Sequence, residues 1–500
     1  MLKRLLTILI IICMFPCGLL YAKPVAASAS TQTKAATKKL TEEIDSLQPG
    51  AKLTLTLPEA IAIALRKNPA IRSDYLNQIN SKLTLQVAKQ QFIPQASLGM
   101  TASAQDNDLF GSSQNYATVS PGMTWNTPLG TSFTATWNNT FQSHNLQNDL
   151  NVTMTQPLWQ GLGVDVNEVA LKNAKDTAEL AKLTLKSSII STVTTVISDY
   201  FATQSDELSL ISSVVQMKTD QTDVLDTQRK IKAGTQAPAE IYSVQSQYAQ
   251  QQGAVQSAHN TLQQGQITLA NELGLRQGVI IEVPTKVVIP KIVPNMALCQ
   301  KLALVNSNTY ASDIITLRTD QRDLLTAMDA ERWKINLTAN AQVGDNTQPT
   351  PIGGGSNTLN TEGDTVGLNV TIPLGAARAT LHNAVAAAKI TEMQSVITLN
   401  NEKRTLYNTI QTDIQNIQSD LQTISINERS LKYQKLVVKA TREKLIHGLA
   451  SNFQLTTEQT TLNTDIQSVI TAKSTYLTAL SQLDSDIGTT LETWHVKVNY

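Results

Sequence analysis

The sequence predicts an α+β membrane protein, mainly α, internally duplicated, built from long antiparallel helical hairpins and a small set of amphipathic strands. Three observations carry this. Landmarks in the first half recur, in order, in the second. Two proline-free stretches, about 164–233 and 376–447, each allow roughly 105 Å of helix at 1.5 Å per residue. Between helical segments the period falls to two, and Leu-Asn-Val-Thr occurs at 150–153 and at 368–371, each time running on to Pro-Leu at Pro157 and Pro373.

The N-terminus reads as an export address. Lys3 and Arg4 precede an apolar run broken by Pro16 and closed by Ala22, the pattern of a cleaved signal over 1–22, with cleavage as late as 27 also compatible. An N-terminal linker, 23–52, follows. Met-Phe-Pro ahead of Cys17 gives no lipidation context, nor does the setting of Cys13. After the signal one cysteine is left, Cys299, read as a small apolar helix residue, so no internal disulfide is expected. No later run offers the ~18 apolar residues of a membrane helix. An exported chain of this kind either stays soluble or enters a membrane as a barrel. Charge is balanced at 40 Lys+Arg against 40 Asp+Glu, which removes the electrostatic case for nucleic acid or an anionic surface. Aromatics, at 5%, are low for a large enzyme and ordinary for long helices with narrow apolar seams.

The duplication defines the domains. At an offset of 239, residues 62–76 lie over 301–315: Ala64 and Leu65 meet Ala303 and Leu304, and Ser73 and Asp74 meet Ser312 and Asp313. Leu85, Ala88, Leu98 and Ala102 then meet Leu324, Ala327, Leu337 and Ala341. Later landmarks recur at other offsets, Gly234 with Gly448 and Gly274 with Gly488. The first repeat is 53–282 and the second 296–490, joined by a proline-rich strap, 283–295, with a C-terminal tail, 491–500.

Each repeat opens with a helix; in the first it covers 57–91, with Pro58 and Glu59 suited to the first turn. After Pro94 the pattern alternates, with Leu98, Met100, Ala102 and Ala104 on one face; Ile335, Leu337 and Ala339 do the same in the second repeat. Strands are expected at about 95–157 and 333–373. Segment 116–142 also alternates at Thr131–Trp137 and offers a further hairpin in the first repeat alone. Apolar residues alternating with Thr, Asn, Ser and Gln suit a barrel with a wet interior. Four strands cannot close one, since about eight is the smallest known, so several chains must contribute. Trp125, Trp137, Trp159 and Trp333 fall in or beside the strands, as an interfacial girdle would. Ile410, Ile414, Ile417, Leu421 and Ile424 form a coiled-coil seam. The long helices end near Gly234 and Gly448, each followed by small residues and a new helix start, which marks a hairpin tip.

With these features assembled, the chain resembles the TolC-type outer membrane efflux and secretion channels over essentially its whole mature length. "LTLPEAIAIALRKNPAIRS" (55–73) resembles that family's entry helix, "FIPQASLGMTAS" (92–103) its helix-to-strand passage, "QPLWQG" and "IPLG" its strand-to-helix return, and the two glycine tips its periplasmic hairpins. The resemblance implies a homotrimer in the Gram-negative outer membrane, with a small twelve-strand transmembrane β-barrel and an α-barrel tunnel in the periplasm. It also implies a tip that docks with a periplasmic adaptor and an inner-membrane transporter, no cofactor, and export of toxic compounds or, next, of proteins. Lys232, Thr235 and Gln236 beside Gly234, and Leu449, Ala450 and Ser451 beside Gly448, are then the adaptor-facing surface. Family members carry an acid six residues beyond each tip glycine, and another one turn later in the second repeat. The matching positions here are Glu240, Gln454 and Thr457, so only Glu240 keeps a carboxylate. Arg229 and Arg442 precede the tips, placed to pair with acids in a shut pore.

The residues give little to an enzyme. His144, His259, His382, His447 and His495 are scattered without metal-ligand spacing, and the glycines at 161–163 and 353–355 lack a phosphate-cradle context. No catalytic residue, cofactor or metal site is expected. The alternative is an exported coiled-coil structural or appendage protein without a pore, which leaves the strands unexplained. In the tail, Trp494, Val496, Val498 and Tyr500 alternate, as a short edge strand or an assembly signal would.

Overall fold

The computed structural model describes residues 52–107, 112–142, 145–349 and 356–496. The signal, the linker up to residue 51, His144, glycines 353–355 and residues 497–500 with Val498 and Tyr500 lie outside the described residues. In the first repeat the elements are β1 (Lys52–Thr54), α1 (Leu57–Lys67), α2 (Pro69–Gln90), β2 (Gln95–Asn107), β3 (Ser112–Asn126), β4 (Ser132–Gln142), β5 (Asn145–Pro157), α3 (Val169–Lys232), α4 (Glu240–Glu272) and β6 (Ile280–Glu282). The second repeat has α5 (Met296–Asn306), α6 (Asn308–Ala330), β7 (Lys334–Pro349), β8 (Ser356–Thr371), α7 (Ala376–Ile446) and α8 (Asn452–Ile487). The starts of α1 and α5, of α2 and α6, and of β2 and β7 are each 239 residues apart. The hairpin β3–β4 has no counterpart in the second repeat, and beyond it the paired glycines are 214 residues apart.

The chain divides into two compact units, one made of residues up to 76, 184–310 and from 402 onward, the other of 77–183 and 311–401. The first unit holds two apolar cores. In one, Ile61 and Ile63 of α1 meet Leu185, Ile189, Val193 and Ile197 of α3 and Leu269 of α4. In the other, Ile410, Ile414, Ile417 and Ile424 of α7 meet Leu477, Leu480 and Leu483 of α8. The three-and-four spacing read from the sequence is therefore a buried seam, as a heptad stripe dictates. Only α3, among the described residues, contains a stretch apolar enough to cross a bilayer, and its Val193, Val196 and Ile197 are spent in the first core.

Four helix ends in this unit close identically. After α3, α4, α7 and α8 the chain enters positive φ at Gly234, Gly274, Gly448 and Gly488. The following amide bonds back five residues (Thr235 to Lys230, Leu275 to Ala270, Leu449 to Lys444, Thr489 to Asp484), with the glycine amide bonding back three. This double bond is the Schellman closure, which an L side chain strains and glycine does not. A Cβ on Gly274 would stand 2.5 Å from the Lys67 carbonyl oxygen, and one on Gly488 2.7 Å from Asn306 Cβ, whereas Gly234 and Gly448 have open space.

One expectation is corrected. The helix expected over 57–91 breaks at Asn68, because Pro69 disfavours helical geometry in the residue before it. Asn68 Oδ1 accepts from the Ala70 amide at 2.8 Å and its Nδ2 donates to the Glu272 carbonyl at 2.9 Å, so the break is a built joint. In the tail, residues 490–493 form a helical turn, and Trp494 and Val496 pack on the first core, while the rest of the alternating stretch lies outside the described residues.

The second unit holds a six-stranded antiparallel sheet in the order β2-β3-β4-β5-β7-β8. The strand-to-helix return after β5 is fixed by Asn167, whose Nδ2 donates to the Gly161 and Gly163 carbonyls, both at 2.8 Å, and by buried Asp329, which accepts from the Gly161 amide at 2.8 Å. In the helices of this unit Asp176, 8% exposed, is bonded to the Arg322 guanidinium, whose Nε also donates to Asn173 at 2.7 Å.

Candidate functional site

Directly opposed residues of antiparallel strands share a face, so the register sorts every side chain of the sheet. One row across all six strands reads Gln95, Thr124, Thr134, Thr153, Asn340, Thr365; the next reads Ser97, Gly122, Thr136, Asn151, Gln342, Gly363. On the opposite face a row reads Trp125, Phe133, Met154, Ala339, Val366, and Leu98, Met100, Met123, Trp137, Leu150, Val152, Leu337, Leu368 and Val370 share it. Toward the loop ends of the strands this face gives way to Asn139, Asn148, Asp345, Glu362 and Asp364. In β7 the apolar band runs from Ile335 to Val343, about 27 Å of strand, close to the ~25 Å band of a membrane barrel. The polar face is knitted together: Asn340 Nδ2 donates to Asn151 and Thr153, and Gln342 Nε2 to Asp149 at 2.9 Å.

Three of the four tryptophans sit where strands meet helices. Trp333 immediately precedes β7, and its carbonyl accepts from the Gln160 amide beside Trp159. Trp125, near the end of β3, stacks on Phe133 at 5.2 Å between centroids and donates from Nε1 to the Phe92 carbonyl at 3.1 Å. Trp137 lies in the middle of β4, opposite Leu150.

The hairpin tips belong to the first unit. A cleft of about 410 Å³ between α3, the α5–α6 junction, α7 and α8 is lined mostly by Ser, Thr and Asn, with Glu402 and Asp486, and a larger one of about 710 Å³ lies at the tips. The tip cleft brings together Thr235, Gln236 and Glu240 from one hairpin and Gly448, Leu449, Ala450, Ser451 and Gln454 from the other, and leaves Lys232, Gly234 and Thr457 off its wall. Ser451 and Gln454 form a capping box at the start of α8: the Gln454 amide donates to Ser451 Oγ at 3.2 Å and the Ser451 amide to Gln454 Oε1 at 3.1 Å. Thr457 Oγ1 donates to the Phe453 carbonyl of its own helix. Glu240 opens α4, where a carboxylate suits the helix dipole.

The arginines behave differently. Arg229 pairs within its own helix with Asp226 at 3.0 Å, fully in solvent reach. Arg442 of α7 reaches across to Asp223 of α3 at 3.4 Å, and Asp223 also accepts from Gln459 of α8 at 2.7 Å. Asn452 Nδ2 donates to buried Thr227 nearby. Asp223, Thr227, Asn452 and Gln459 were not singled out from the sequence; the signal was the i, i+4 pair Asp223/Thr227, six and two residues before Arg229.

Burial pushes the Asp223 carboxyl up and that of Asp220, one turn earlier, to about 6. Farther along the hairpins, burial and the neighbouring Asp486 push Asp413 to about 7, and burial pushes Asp484 to about 6. A carboxyl raised in the folded state binds protons that the unfolded chain has released. Its contribution to stability is full below the ordinary carboxylate range and is lost as pH rises through 6–7. The protein is therefore expected to melt higher at about pH 5 than at about pH 8, and Asp413→Asn to raise the midpoint at the higher pH and flatten the dependence. Calorimetry of detergent-solubilised protein at the two pH values checks this; an equal midpoint for the unmodified protein would contradict it. Among the described residues no group of three or more His, Cys, Asp or Glu is placed to hold a metal ion.

A two-faced antiparallel sheet combined with paired helical hairpins is the fold of outer membrane channels, and solved structures of that class match it. They include the Campylobacter jejuni CmeC outer membrane channel (11% identity, 87% of this chain and 86% of that one, TM-score 0.67). The Vibrio cholerae outer membrane protein VceC matches as well (12% identity, 86% and 96%, TM-score 0.65). So does the open state of the Neisseria gonorrhoeae MtrE outer membrane channel (13% identity, 87% and 89%, TM-score 0.63). No curated protein matches the chain. Residues 308–489 match the sequence model of the family described as outer membrane efflux protein.

Proposed function

We propose that this chain is the outer membrane outlet of a tripartite export system. Three copies join into a channel that takes substrates from an inner-membrane transporter and a periplasmic adaptor and releases them outside a Gram-negative cell. Efflux of toxic compounds is favoured, with type I protein secretion next. The observation that carries this is the sheet: one face is apolar across six strands, the other polar, and both outer strands are unpaired in the single chain. Backbone groups left bare in lipid cost several kcal/mol each, so such a sheet is stable in a membrane only as part of a closed wall. Apolar stripes on the helices agree: Ile79, Leu83 and Val87 of α2 and Ile390, Met393 and Ile397 of α7 are exposed at helical spacing, as faces awaiting another subunit would be.

Within this reading the residues take the following roles. Lys232, Gly234, Thr235, Gln236, Gly448, Leu449, Ala450 and Ser451 form the adaptor contact, supported by Leu449 and Phe453, which are 76% and 70% exposed at the second tip. Arg442, held on Asp223 with Gln459, restrains one hairpin against the other, while Arg229, Glu240, Gln454 and Thr457 line the approach to the constriction. Trp125, Trp159 and Trp333 anchor the periplasmic interface of the membrane, and Trp137 meets lipid. A coiled-coil fibre, the other reading, has no use for a sheet with a continuous apolar face.

Deleting the gene is expected to sensitise cells to several toxic compounds, and a census of secreted proteins in the same strain separates efflux from protein secretion. Membrane-extracted protein is expected to shift its gel migration on heating, as barrels do. Migration unchanged by heat, with the protein soluble in detergent-free buffer, would sink the channel reading.

A further inference from the structure

We propose that β8 of one copy pairs with β2 of the next, so that three copies close an eighteen-strand barrel in which the extra hairpin β3–β4 is part of the wall. This rests on the channel reading for the number of copies; the strand number comes from the sheet. Each chain contributes six strands in unbroken order, with β2 and β8 as the free edges. Every neighbouring pair is antiparallel, and with an even number of strands β8 also meets β2 antiparallel, so the ring closes without a parallel seam.

A hairpin folded into the pore as a plug would show polar residues on both faces, or apolar ones turned inward. Instead Met123, Trp125, Phe133, Trp137 and Phe141 lie on the same face as Leu98 and Leu150, while Thr118, Thr124, Thr134 and Thr136 lie with Thr101 and Thr153. The hairpin thus alternates in phase with the strands on either side. The free edges carry the same pattern: Leu98 and Met100 on β2 are 62% and 71% exposed, and Val366 and Leu368 on β8 are 77% and 63% exposed. The expected occupant of each edge is therefore the opposite edge of another copy, with lipid over the joint. Barrel diameter grows roughly linearly with strand number, so eighteen strands make an outer mouth about 1.5 times as wide as twelve would. Its lining is Thr, Ser, Asn, Gln and Gly, with few charges, which suits bulky, mixed or neutral cargo and leaves size selection to the helical tip.

The test places one cysteine on the polar face of each edge, at Gly99, Thr101 or Ser103 of β2 and at Thr365, Gly367 or Asn369 of β8, and oxidises trimers extracted in detergent. At least one pair is expected to give a covalently closed trimer. Single cysteines at Trp137 and Phe141 are expected to react about tenfold faster with a lipid-soluble maleimide than with a charged thiol reagent. The unmodified trimer in nanodiscs, imaged directly, is expected to show eighteen strands. Trimers that conduct ions but show twelve strands, or label freely at 137 and 141 with the charged reagent, would overturn the inference and leave the channel reading standing. Failure to find any trimer or pore would remove both.

Discussion

Tryptophan at both Gly234 and Gly448 is expected to abolish export while trimers still form. Both glycines adopt positive φ, +74° and +73°, and nothing lies within 4 Å of the position a Cβ would occupy. A side chain there strains the backbone by about 1–2 kcal/mol per site and meets no clash. The strain falls on the outermost turn of each hairpin, far along the chain from the buried seam at Ile410–Ile424, so assembly should survive. What changes is the surface. One large ring would stand on the wall of the tip cleft at Gly448 and the other beside it, next to Thr235. Alanine at both sites carries the same strain without the bulk and is expected to keep most of the transport. Accumulation of a toxic dye in cells, read beside the amount of trimer in the outer membrane, gives the answer. Normal transport by the double tryptophan variant would remove the tips from the docking surface.

The largest loss of stability is expected from Arg322→Met. Asp176 is 8% exposed and Arg322 18%, and the guanidinium holds both Asp176 and Asn173. Removing it strands a buried carboxylate, which costs about 3–5 kcal/mol. Arg318 stands 4.0 Å from Asp176 but is half exposed, too far and too wet to take over. Adding Asp176→Asn is expected to restore much of the loss, because the second change removes the charge the first left alone. Lysine at 322 lacks the fork that reaches two acceptors and should rescue only partly. Thermal unfolding of the single and double variants measures the coupling; additive losses would mean that the pair is not a unit.

Much of this architecture was legible in the sequence because it depends on local periodicity. Five aliphatic residues from Ile410 to Ile424 at three-and-four spacing specify a buried helix seam with no reference to a partner. The strands were legible for a similar reason: an apolar face and a polar face on one sheet impose a period of two. The strand count was not, since Pro121 and Gly122 interrupt β3 and Asn139 sits on the apolar face of β4, blurring the alternation where the extra hairpin lies. The break at Asn68 was hidden by an apolar stripe that continues across it. At the tips, the glycines were legible from their own conformational demands. The network of Arg442, Asp223 and Gln459 was not, because its members are 219 and 236 residues apart and meet only once the two repeats pack.

Gly274 and Gly488 occupy matching places in the two repeats, each pressed by bare backbone against the end of its own repeat's first helix. An ancestral unit, once copied, let nearly every side chain around these joints diverge, yet neither joint has room for a methyl group. Drift in such a chain is filtered by shapes that leave no residue behind to compare. Counting identities between the halves therefore understates their kinship, and the firmest record of the copying event is two spots where nothing can be added.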